Sequence, residues 1–144
     1  MFSSILVVCM GNICRSPLGK ALLEEQLPDI NIDSAGLGAL VDCPADPKAQ
    51  EIALRHGLNL EHHRAKILTV EMCYRFDLIL VMEKCHIEMV EDIAAEVRGK
   101  TFLFGHWGGR QDISDPYRKD ILYFESTYQL LNLYSKKWAK ALKG

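Results

Sequence analysis

The sequence lacks the features that mark membrane-spanning, nucleic-acid-binding and disulfide-stabilised proteins. No apolar run approaches the ~20 residues that a membrane-spanning helix requires. The 17 Lys and Arg residues are outnumbered by 19 Asp and Glu residues, so the net charge of -2 provides no basic field for nucleic acid. The five cysteines are odd in number and follow no framework spacing, which favours a reducing compartment and free thiols.

Targeting signals and metal-binding motifs are equally scarce. The apolar run at residues 5–8 is too short for the core of a secretion signal, and no basic residue precedes it. We therefore expect a cytoplasmic protein that neither inserts into a membrane nor binds nucleic acid, and we expect it to be a monomer. No Cys and His residues have the spacing typical of a zinc site, so we expect no metal and no cofactor.

The order of apolar and helical segments predicts a single α/β domain. A chain of 144 residues, 49% of them hydrophobic, has the size of one domain with a proper core, which we place at residues 1–144. Alternating strands and helices are typical of a parallel sheet covered by helices. The predicted strands are residues 4–8, 30–34, 78–82 and 101–104, and the predicted helices are residues 17–27, 47–56, 84–95 and 121–142.

The most informative stretch joins a buried strand to a short loop and a helix start. Residues 5–8 are apolar, as in a central parallel strand, and Cys9 follows them directly. Pro17 suits the first turn of a helix, and we predict that Ser16 is the N-cap of that helix. The N–H groups of the loop and the positive end of the helix dipole would then converge. This arrangement predicts a phosphate site.

The side chains around that loop suit chemistry on a phosphate ester. A cysteine at the mouth of such a site ionises more readily, because the donors that hold the anion also stabilise a thiolate. Arg15 offers a planar fork for two phosphate oxygens, Gly11 lets the backbone approach the anion, and Asn12 would hold the loop in shape. The alternative is an ordinary buried Cys9 beside a surface arginine. We favour the phosphate site because all of these residues fall where one mechanism needs them.

Residues 8–17 read V-C-M-G-N-I-C-R-S-P and resemble the signature of the low-molecular-weight protein tyrosine phosphatases. Leu40 and residues 104–107 resemble the bacterial branch that is associated with exopolysaccharide and capsule production. Ser114 departs from that branch, which usually has proline before Asp-Pro-Tyr, and we expect the change to loosen this loop. Other segments also resemble the family and occur in the same order as in its members: residues 33–36, 44–46, 63–65, 77–83 and 115–117.

The resemblance implies a fold and a set of site residues. The fold would be a single-domain, open four-stranded parallel sheet with helices on both faces, the Rossmann-like phosphotyrosine phosphatase I fold. Cys9 would be the nucleophile, Arg15 the phosphate clamp, and Asp115 the general acid and then the base that activates water. Leu40 and Tyr117 would line the substrate pocket. The rest of the phosphate loop would comprise Met10, Gly11, Asn12, Ile13, Cys14 and Ser16.

The resemblance also implies a substrate. The bacterial branch acts on the tyrosine-rich tail of a membrane-bound tyrosine kinase that controls capsule or exopolysaccharide export, so we expect a phosphotyrosine protein of this kind as the partner. An aromatic wall at Tyr117 would favour phosphotyrosine over the shorter phosphoserine. Leu40 would leave a lower wall than a large aromatic side chain, so we expect weak discrimination among the residues around the phosphotyrosine.

Several alternatives stay open. Asp112 is a second candidate for the acid, although no proline follows it. A protective Cys9–Cys14 disulfide, which the resemblance suggests, stands beside a simple buried thiol at Cys14. Arsenate reductase of the same fold is a rival function, with Cys73 and Cys85 as relay cysteines, although the strand between them would hold them apart. A non-catalytic phosphotyrosine-binding module is a further rival, but binding alone needs neither a thiolate nor an acid.

Overall fold

Strands and helices alternate along residues 2–143, the part of the chain that the computed structural model describes. The strands are β1 (Ser4–Cys9), β2 (Asn31–Gly36), β3 (Leu78–Val81) and β4 (Thr101–Leu103). The α-helices are α1 (Arg15–Gln26), α2 (Pro47–Arg55), α3 (Val70–Arg75), α4 (Lys84–Ile93) and α5 (Ile121–Lys143). Two short 3-10 helices lie at Ala95–Lys100 and His106–Gly108.

The four strands form one parallel sheet in the order β2-β1-β3-β4. β1 is central, because Ile5 pairs with Ile32 of β2 on one side and with Leu78 of β3 on the other. Successive residues of a strand face opposite sides of the sheet. Val7 accordingly packs in a cluster with α1, α2 and α5, whereas Leu6 packs in a second cluster with α3 and α4. The predicted parallel sheet with helices on both faces is confirmed.

The loops at the carboxyl edge of the sheet come from three distant parts of the chain. β1 ends at Cys9, and residues 10–14 lead directly into α1. Residues 37–46 leave the end of β2, and residues 104–120 leave the end of β4. β2 and β3 lie on opposite sides of β1, so the strand order changes direction there, and ligands of open α/β sheets bind outside such a point.

Helix α1 begins earlier than predicted and has a different cap. It starts at Arg15, so Ser16 lies inside the first turn and Cys14 is the N-cap. The prediction that Ser16 caps this helix is therefore wrong. The reason is that the Ser16 hydroxyl is engaged by side chains of the preceding loop instead. Pro17 is the third residue of this helix, where proline is tolerated because the N–H groups of the first turn have no helical partner.

Helix α3 is an element that the sequence pattern does not predict. It has only six residues, too few for a hydrophobic period to show. A local signal does mark its start, since the Thr69 hydroxyl accepts a hydrogen bond from the Met72 N–H at 3.2 Å.

Helix α5 is the longest helix, with 23 residues, and its buried stripe agrees with the predicted amphipathic pattern. Phe124, Tyr128, Leu131 and Trp138 all lie in the core. Within residues 2–143, no helix combines the length and the apolar character that crossing a membrane would take.

Candidate active site

The loop after β1 is held in shape by the buried side chain of Asn12. The backbone of Asn12 is left-handed, with φ of 58°, a conformation that asparagine adopts more readily than most residues. Its side-chain amide donates to the hydroxyls of Ser16 at 2.7 Å and Ser34 at 3.0 Å. Its side-chain oxygen accepts from the Lys66 N–H at 2.9 Å. Asn12 thereby ties the loop to α1, to β2 and to the segment before α3.

His63 supports the same loop from outside, although it is absent from the predicted site. Its Nε2 lies 2.6 Å from the backbone carbonyl oxygen of Asn12, and that nitrogen donates the hydrogen bond. Burial lowers the pKa of His63 in spite of this hydrogen bond, and the charges of Lys20 and Lys66 lower it further. A signal was available in the sequence, because His63 opens one of the segments that resemble the family.

The sulfur of Cys9 lies at the end of β1, surrounded by hydrogen-bond donors. It is 3.0 Å from the Ser16 hydroxyl and accepts from the Asn12 N–H at 3.3 Å. Cys9 is only 2% exposed, yet it lines the pocket described below. The sulfur of Cys9 is therefore held by hydrogen bonds next to the pocket that it lines.

The guanidinium of Arg15 is buried, and Nη1 is the nitrogen that makes its hydrogen bonds to the protein. Its Nη1 donates to Glu83 Oε2 and to the Ile113 carbonyl oxygen, both at 2.6 Å, and its Nη2 lies 3.6 Å from Asp115 Oδ2. Its Nε is also buried but has no protein partner. Buried polar groups nearly always have a partner, so this free donor marks a place for an acceptor from outside the chain. Glu83, which orients Arg15, is absent from the predicted site.

Cys9 and Arg15 line a pocket of about 180 Å³ at the carboxyl edge of the sheet. The Asp115 side chain is fixed at its mouth, because Oδ1 accepts from the Tyr117 N–H at 3.0 Å. Leu40 and Tyr117, 44% and 40% exposed, also line the pocket and add apolar surface to it. The predicted residues that the structure brings together as the pocket lining are Cys9, Met10, Gly11, Ile13, Cys14, Arg15, Leu40, Asp115 and Tyr117, joined by Gly38.

The rival residues lie elsewhere. Asp112 Oδ1 accepts from the Lys84 N–H at 2.9 Å, so this carboxylate caps the start of α4 and is not part of the pocket lining. Cys73 is buried in α3 and Cys85 is exposed in α4, and neither lines the pocket. Burial raises the pKa of the Cys14 thiol, and the charges of Asp46 and Asp115 add to that effect, so Cys14 stays a neutral thiol.

Ser114 makes a contact that a proline at this position would not make. Its hydroxyl lies 2.7 Å from the hydroxyl of Tyr123, in the first turn of α5. This hydrogen bond connects the loop that carries Asp115 to a long, well-packed helix. The expectation that Ser114 loosens this loop stays a prediction, and the contact argues for a tether instead.

One group of side chains among residues 2–143 brings possible metal ligands within 4.8 Å of one another, but its buried histidine is already engaged, because His86 Nδ1 accepts from the Glu83 N–H at 3.3 Å. Glu83, Cys85 and His86 offer a carboxylate oxygen, a thiol sulfur and an imidazole nitrogen at the start of α4. None of the three lines the pocket. Burial, followed by the charge of Arg15, lowers the pKa of His86, so its ring is neutral at neutral pH.

Comparison with known proteins agrees with the geometry. Residues 4–144 match the family model "Low molecular weight phosphotyrosine protein phosphatase". The chain is 51% identical to low molecular weight protein-tyrosine-phosphatase Wzb of Salmonella typhimurium, a match that covers 100% of this chain and 97% of the relative. It is 52% identical to the phosphatase Etp of Escherichia coli, over 98% of this chain and 95% of the relative.

Solved structures give the same result. The crystal structure of the tyrosine phosphatase Wzb from Escherichia coli K30 in complex with sulphate superimposes with a TM-score of 0.96, at 52% identity and 99% coverage of both chains. An arginine phosphatase, YwlE from Geobacillus stearothermophilus, superimposes with a TM-score of 0.93 at 31% identity, covering 99% of this chain and 94% of that one. The resemblance found in the sequence is confirmed: the chain belongs to the low molecular weight phosphotyrosine protein phosphatase family.

Proposed function

We propose that the chain hydrolyses phosphotyrosine in proteins through a phosphocysteine intermediate. The observation that carries this proposal is the unpaired, buried Nε of Arg15 in a pocket whose floor includes the sulfur of Cys9. A cation with a free donor binds an oxyanion, and a thiolate beside it attacks the atom at the centre of that anion. A phosphate ester satisfies both groups at once.

Binding of the phosphate would use donors that are already in place. Glu83 and the Ile113 carbonyl fix one end of the Arg15 guanidinium, so little order has to be gained when the substrate arrives. Other N–H groups of the loop after β1 would supply further donors, in a loop whose shape Asn12 maintains. Such preorganised donors stabilise the charge that the equatorial oxygens carry in the transition state.

In the first chemical step the Cys9 thiolate attacks phosphorus. A sulfur–phosphorus bond forms while the bond between phosphorus and the tyrosine oxygen breaks, and that oxygen takes the electron pair. Asp115, held at the mouth of the pocket by the Tyr117 N–H, donates a proton to the leaving phenolate oxygen. The products of this step are an unphosphorylated tyrosine side chain in the substrate protein and a phosphocysteine in the enzyme.

In the second step water replaces the sulfur. Asp115, now a carboxylate, accepts a proton from water as the water oxygen attacks phosphorus. The sulfur–phosphorus bond breaks, and the electron pair returns to Cys9 as a thiolate. The Ser16 hydroxyl, 3.0 Å from that sulfur, hydrogen-bonds the departing thiolate. Inorganic phosphate leaves, and the starting state is restored.

The substrate that fits this pocket is a phosphotyrosine protein, and the pocket discriminates little among the residues that flank the phosphotyrosine. Leu40 and Tyr117 offer apolar surface to a phenyl ring, and both are partly exposed. We propose as partner the tyrosine-rich tail of a membrane-bound bacterial tyrosine kinase in capsule or exopolysaccharide regulation, met in the cytoplasm by a monomeric phosphatase. The support is the resemblance to the bacterial branch and the high identity to relatives named as protein-tyrosine-phosphatases.

The decisive experiment compares substrates and one variant. Wild type should turn over a phosphotyrosine peptide rapidly, a phosphoserine or phosphoarginine peptide far more slowly, and arsenate not at all. Cys9→Ser should abolish turnover but still bind vanadate or phosphate, because a serine hydroxyl is a poor nucleophile at neutral pH. Cys43→Ser is the matched control, since Cys43 is an exposed cysteine outside the pocket lining, and it should keep the wild-type rate. Turnover by Cys9→Ser would contradict the mechanism.

A panel of unrelated phosphotyrosine peptides tests the breadth of the pocket. We expect values of kcat/KM within about tenfold of one another, or ~1.4 kcal/mol. A preference of about a hundredfold for one sequence would contradict this and would require a docking surface outside the pocket.

A further inference from the structure

His86 is a buried polar side chain that the two chemical steps do not use. It lies in the first turn of α4 and is only 1% exposed. Burying an imidazole costs free energy unless its nitrogens have polar partners. His86 is not among the residues that line the phosphate pocket, so it cannot reach the substrate itself. Both of its ring nitrogens instead face one residue, Glu83.

The Nδ1 atom of His86 holds the main chain of Glu83 and fixes the tautomer of the ring. This nitrogen accepts from the Glu83 N–H at 3.3 Å. Burial lowers the pKa of His86, so the ring is neutral at neutral pH. A neutral imidazole that accepts at Nδ1 carries its proton on Nε2. The Nε2 atom is therefore a donor.

The Nε2 atom of His86 faces the carboxylate oxygen that anchors the phosphate clamp. It lies 3.6 Å from Glu83 Oε2, and the same oxygen accepts from Arg15 Nη1 at 2.6 Å. A separation of 3.6 Å is too long for a hydrogen bond. It nevertheless sets a buried N–H dipole against a negative charge, where the low dielectric strengthens the attraction. Glu83 Oε2 thus lies between the imidazole and the guanidinium.

The Glu83 side chain needs a second contact to stay in place. It is 30% exposed and has several rotatable bonds, so the carboxylate gains rotamer freedom when it turns towards water. Arg15 Nη1 would then keep the Ile113 carbonyl but lose its charged partner. A shift of about 1 Å in a group that positions the substrate can cost ~10² in rate. The packing of His86 against Glu83 opposes that shift.

We propose that His86 is a positioning residue for the phosphate clamp, and that its Nε2–H holds the Glu83 carboxylate against Arg15. His86 touches no reacting atom and acts through Glu83. The alternative role is a purely structural one, in which Nδ1 caps the start of α4 and Nε2 has no part. The effect of His86 on the reaction rate rests on the proposed function, whereas its effect on the binding of inorganic phosphate does not.

Two substitutions separate positioning from capping. In His86→Asn the side-chain oxygen can replace Nδ1 as acceptor, but nothing replaces Nε2. In His86→Gln the longer amide can donate at the position of Nε2. We expect His86→Asn to lower kcat/KM for an aryl phosphate at least about fivefold while its urea midpoint stays close to wild type, and His86→Gln to recover most of the rate. Wild-type kinetics in a folded His86→Asn protein would overturn the proposal.

A double-variant cycle tests whether His86 acts through Glu83. Glu83→Gln removes the charge that Nε2 attracts, so adding His86→Asn to it should lower kcat/KM by less than about twofold. Losses that multiply would show that His86 acts by another route and would overturn the proposal.

The leaving group of the substrate separates an effect on the clamp from an effect on the acid. A loss that arises at Arg15 should be equal for aryl phosphates with good and with poor leaving groups, because the clamp holds the phosphate in both. A loss that arises at Asp115 shrinks when the leaving group is good. If His86→Asn slowed only the esters with poor leaving groups, the positioning role at Arg15 would be overturned.

Calorimetry with inorganic phosphate tests the role of His86 without any turnover. We expect His86→Asn to bind phosphate at least about fivefold more weakly than wild type. His62→Asn is the matched control, since His62 is exposed and outside the pocket lining, and it should bind like wild type. A wild type that binds phosphate but hydrolyses no phosphotyrosine would contradict the proposed function alone. Equal phosphate affinity in wild type and His86→Asn would overturn the positioning role, whether or not the protein is an active phosphatase.

Discussion

Arg15 Nη1 and Glu83 Oε2 lie 2.6 Å apart although the two residues are separated by 68 positions in the sequence. The pair leaves the opposite side of the guanidinium, with its unpartnered Nε, free to receive an anion. Buried ion pairs contribute little to stability on average, because desolvation offsets their attraction. The benefit here is orientation: the carboxylate fixes the clamp before the substrate binds.

Replacing Arg15 with lysine should nearly inactivate the protein. Lysine keeps the charge but cannot bind two phosphate oxygens with a planar fork, nor reach Glu83 and the Ile113 carbonyl together. We expect kcat/KM for an aryl phosphate to fall by at least about 10², or ~2.7 kcal/mol. Circular dichroism of the variant serves as the folding control. A near-normal rate in a folded Arg15→Lys protein would show that Arg15 is only structural.

Two acidic residues of the loop after β4, Asp115 and Asp112, should differ sharply when neutralised. Asp115→Asn should slow hydrolysis of aryl phosphates by about 10²–10⁴, because the leaving phenolate loses its proton donor. The loss should shrink for esters whose leaving group is already good. Asp112→Asn is the matched control: its amide oxygen still caps α4, so the rate should change little. A larger loss in Asp112→Asn would mean that the acid is assigned to the wrong residue.

Replacing Asn12 with glycine or with alanine should lower the free energy of unfolding, for two reasons that the two variants separate. Glycine adopts the φ of 58° without strain but loses three hydrogen bonds to Ser16, Ser34 and Lys66, which we expect to cost roughly 1–3 kcal/mol of unfolding free energy. Alanine loses the same bonds and also adopts a left-handed backbone, at a further ~1 kcal/mol. Urea titrations measure both differences, and Ser34→Ala gives the value for one bond. If Asn12→Ala were as stable as Asn12→Gly, backbone strain would play no part.

Stability at alkaline pH should depend on Cys14. Burial, with Asp46 and Asp115, raises the pKa of its thiol in the folded protein. Its contribution is therefore fully present below the pKa of an unfolded cysteine, about 8.5, and is lost as pH rises above it, because only the unfolded chain then releases the proton. We expect the unfolding free energy of wild type to fall between about pH 8.5 and pH 10, and that of Cys14→Ala to fall less steeply. Cys43→Ser, an exposed position, should follow wild type; parallel curves for all three proteins would contradict the assignment.

The parts of the site that are contiguous in sequence could be predicted, and those that depend on distant contacts could not. Cys9 through Pro17 carry a strand end, a loop and a helix start within one short segment, so local rules identify a phosphate site. The parallel sheet also follows from local patterns, since β1 and β3 are short apolar runs and helix-length segments separate the strands. The N-cap prediction for Ser16 failed because its hydroxyl has partners that only the folded loop provides.

Glu83 and His63 were missed for the same reason. Each acts on the loop through one contact across more than fifty positions, to Arg15 and to the Asn12 carbonyl. Both residues lie in segments that resemble the family, residues 63–65 and 77–83, but no motif of residue types marks a lone histidine in a loop or a lone carboxylate after a strand as part of a site. Only the fold gives these residues a function: it places the end of β3, which Glu83 follows, beside the end of β1, and it brings His63 to the Asn12 carbonyl.

The hydrogen bond between Ser114 and Tyr123 should help to hold Asp115 at the pocket. Removing either hydroxyl, in Ser114→Ala or Tyr123→Phe, should lower kcat for an aryl phosphate about two- to fivefold, as expected for a partly exposed bond of ~0.5–1 kcal/mol. The double variant should be no slower than either single one, because both changes break the same contact. Ser114→Pro should recover part of the loss, since proline restricts the loop without the hydrogen bond. Additive losses in the double variant, or a faster Ser114→Ala enzyme, would show that the contact does not hold the acid.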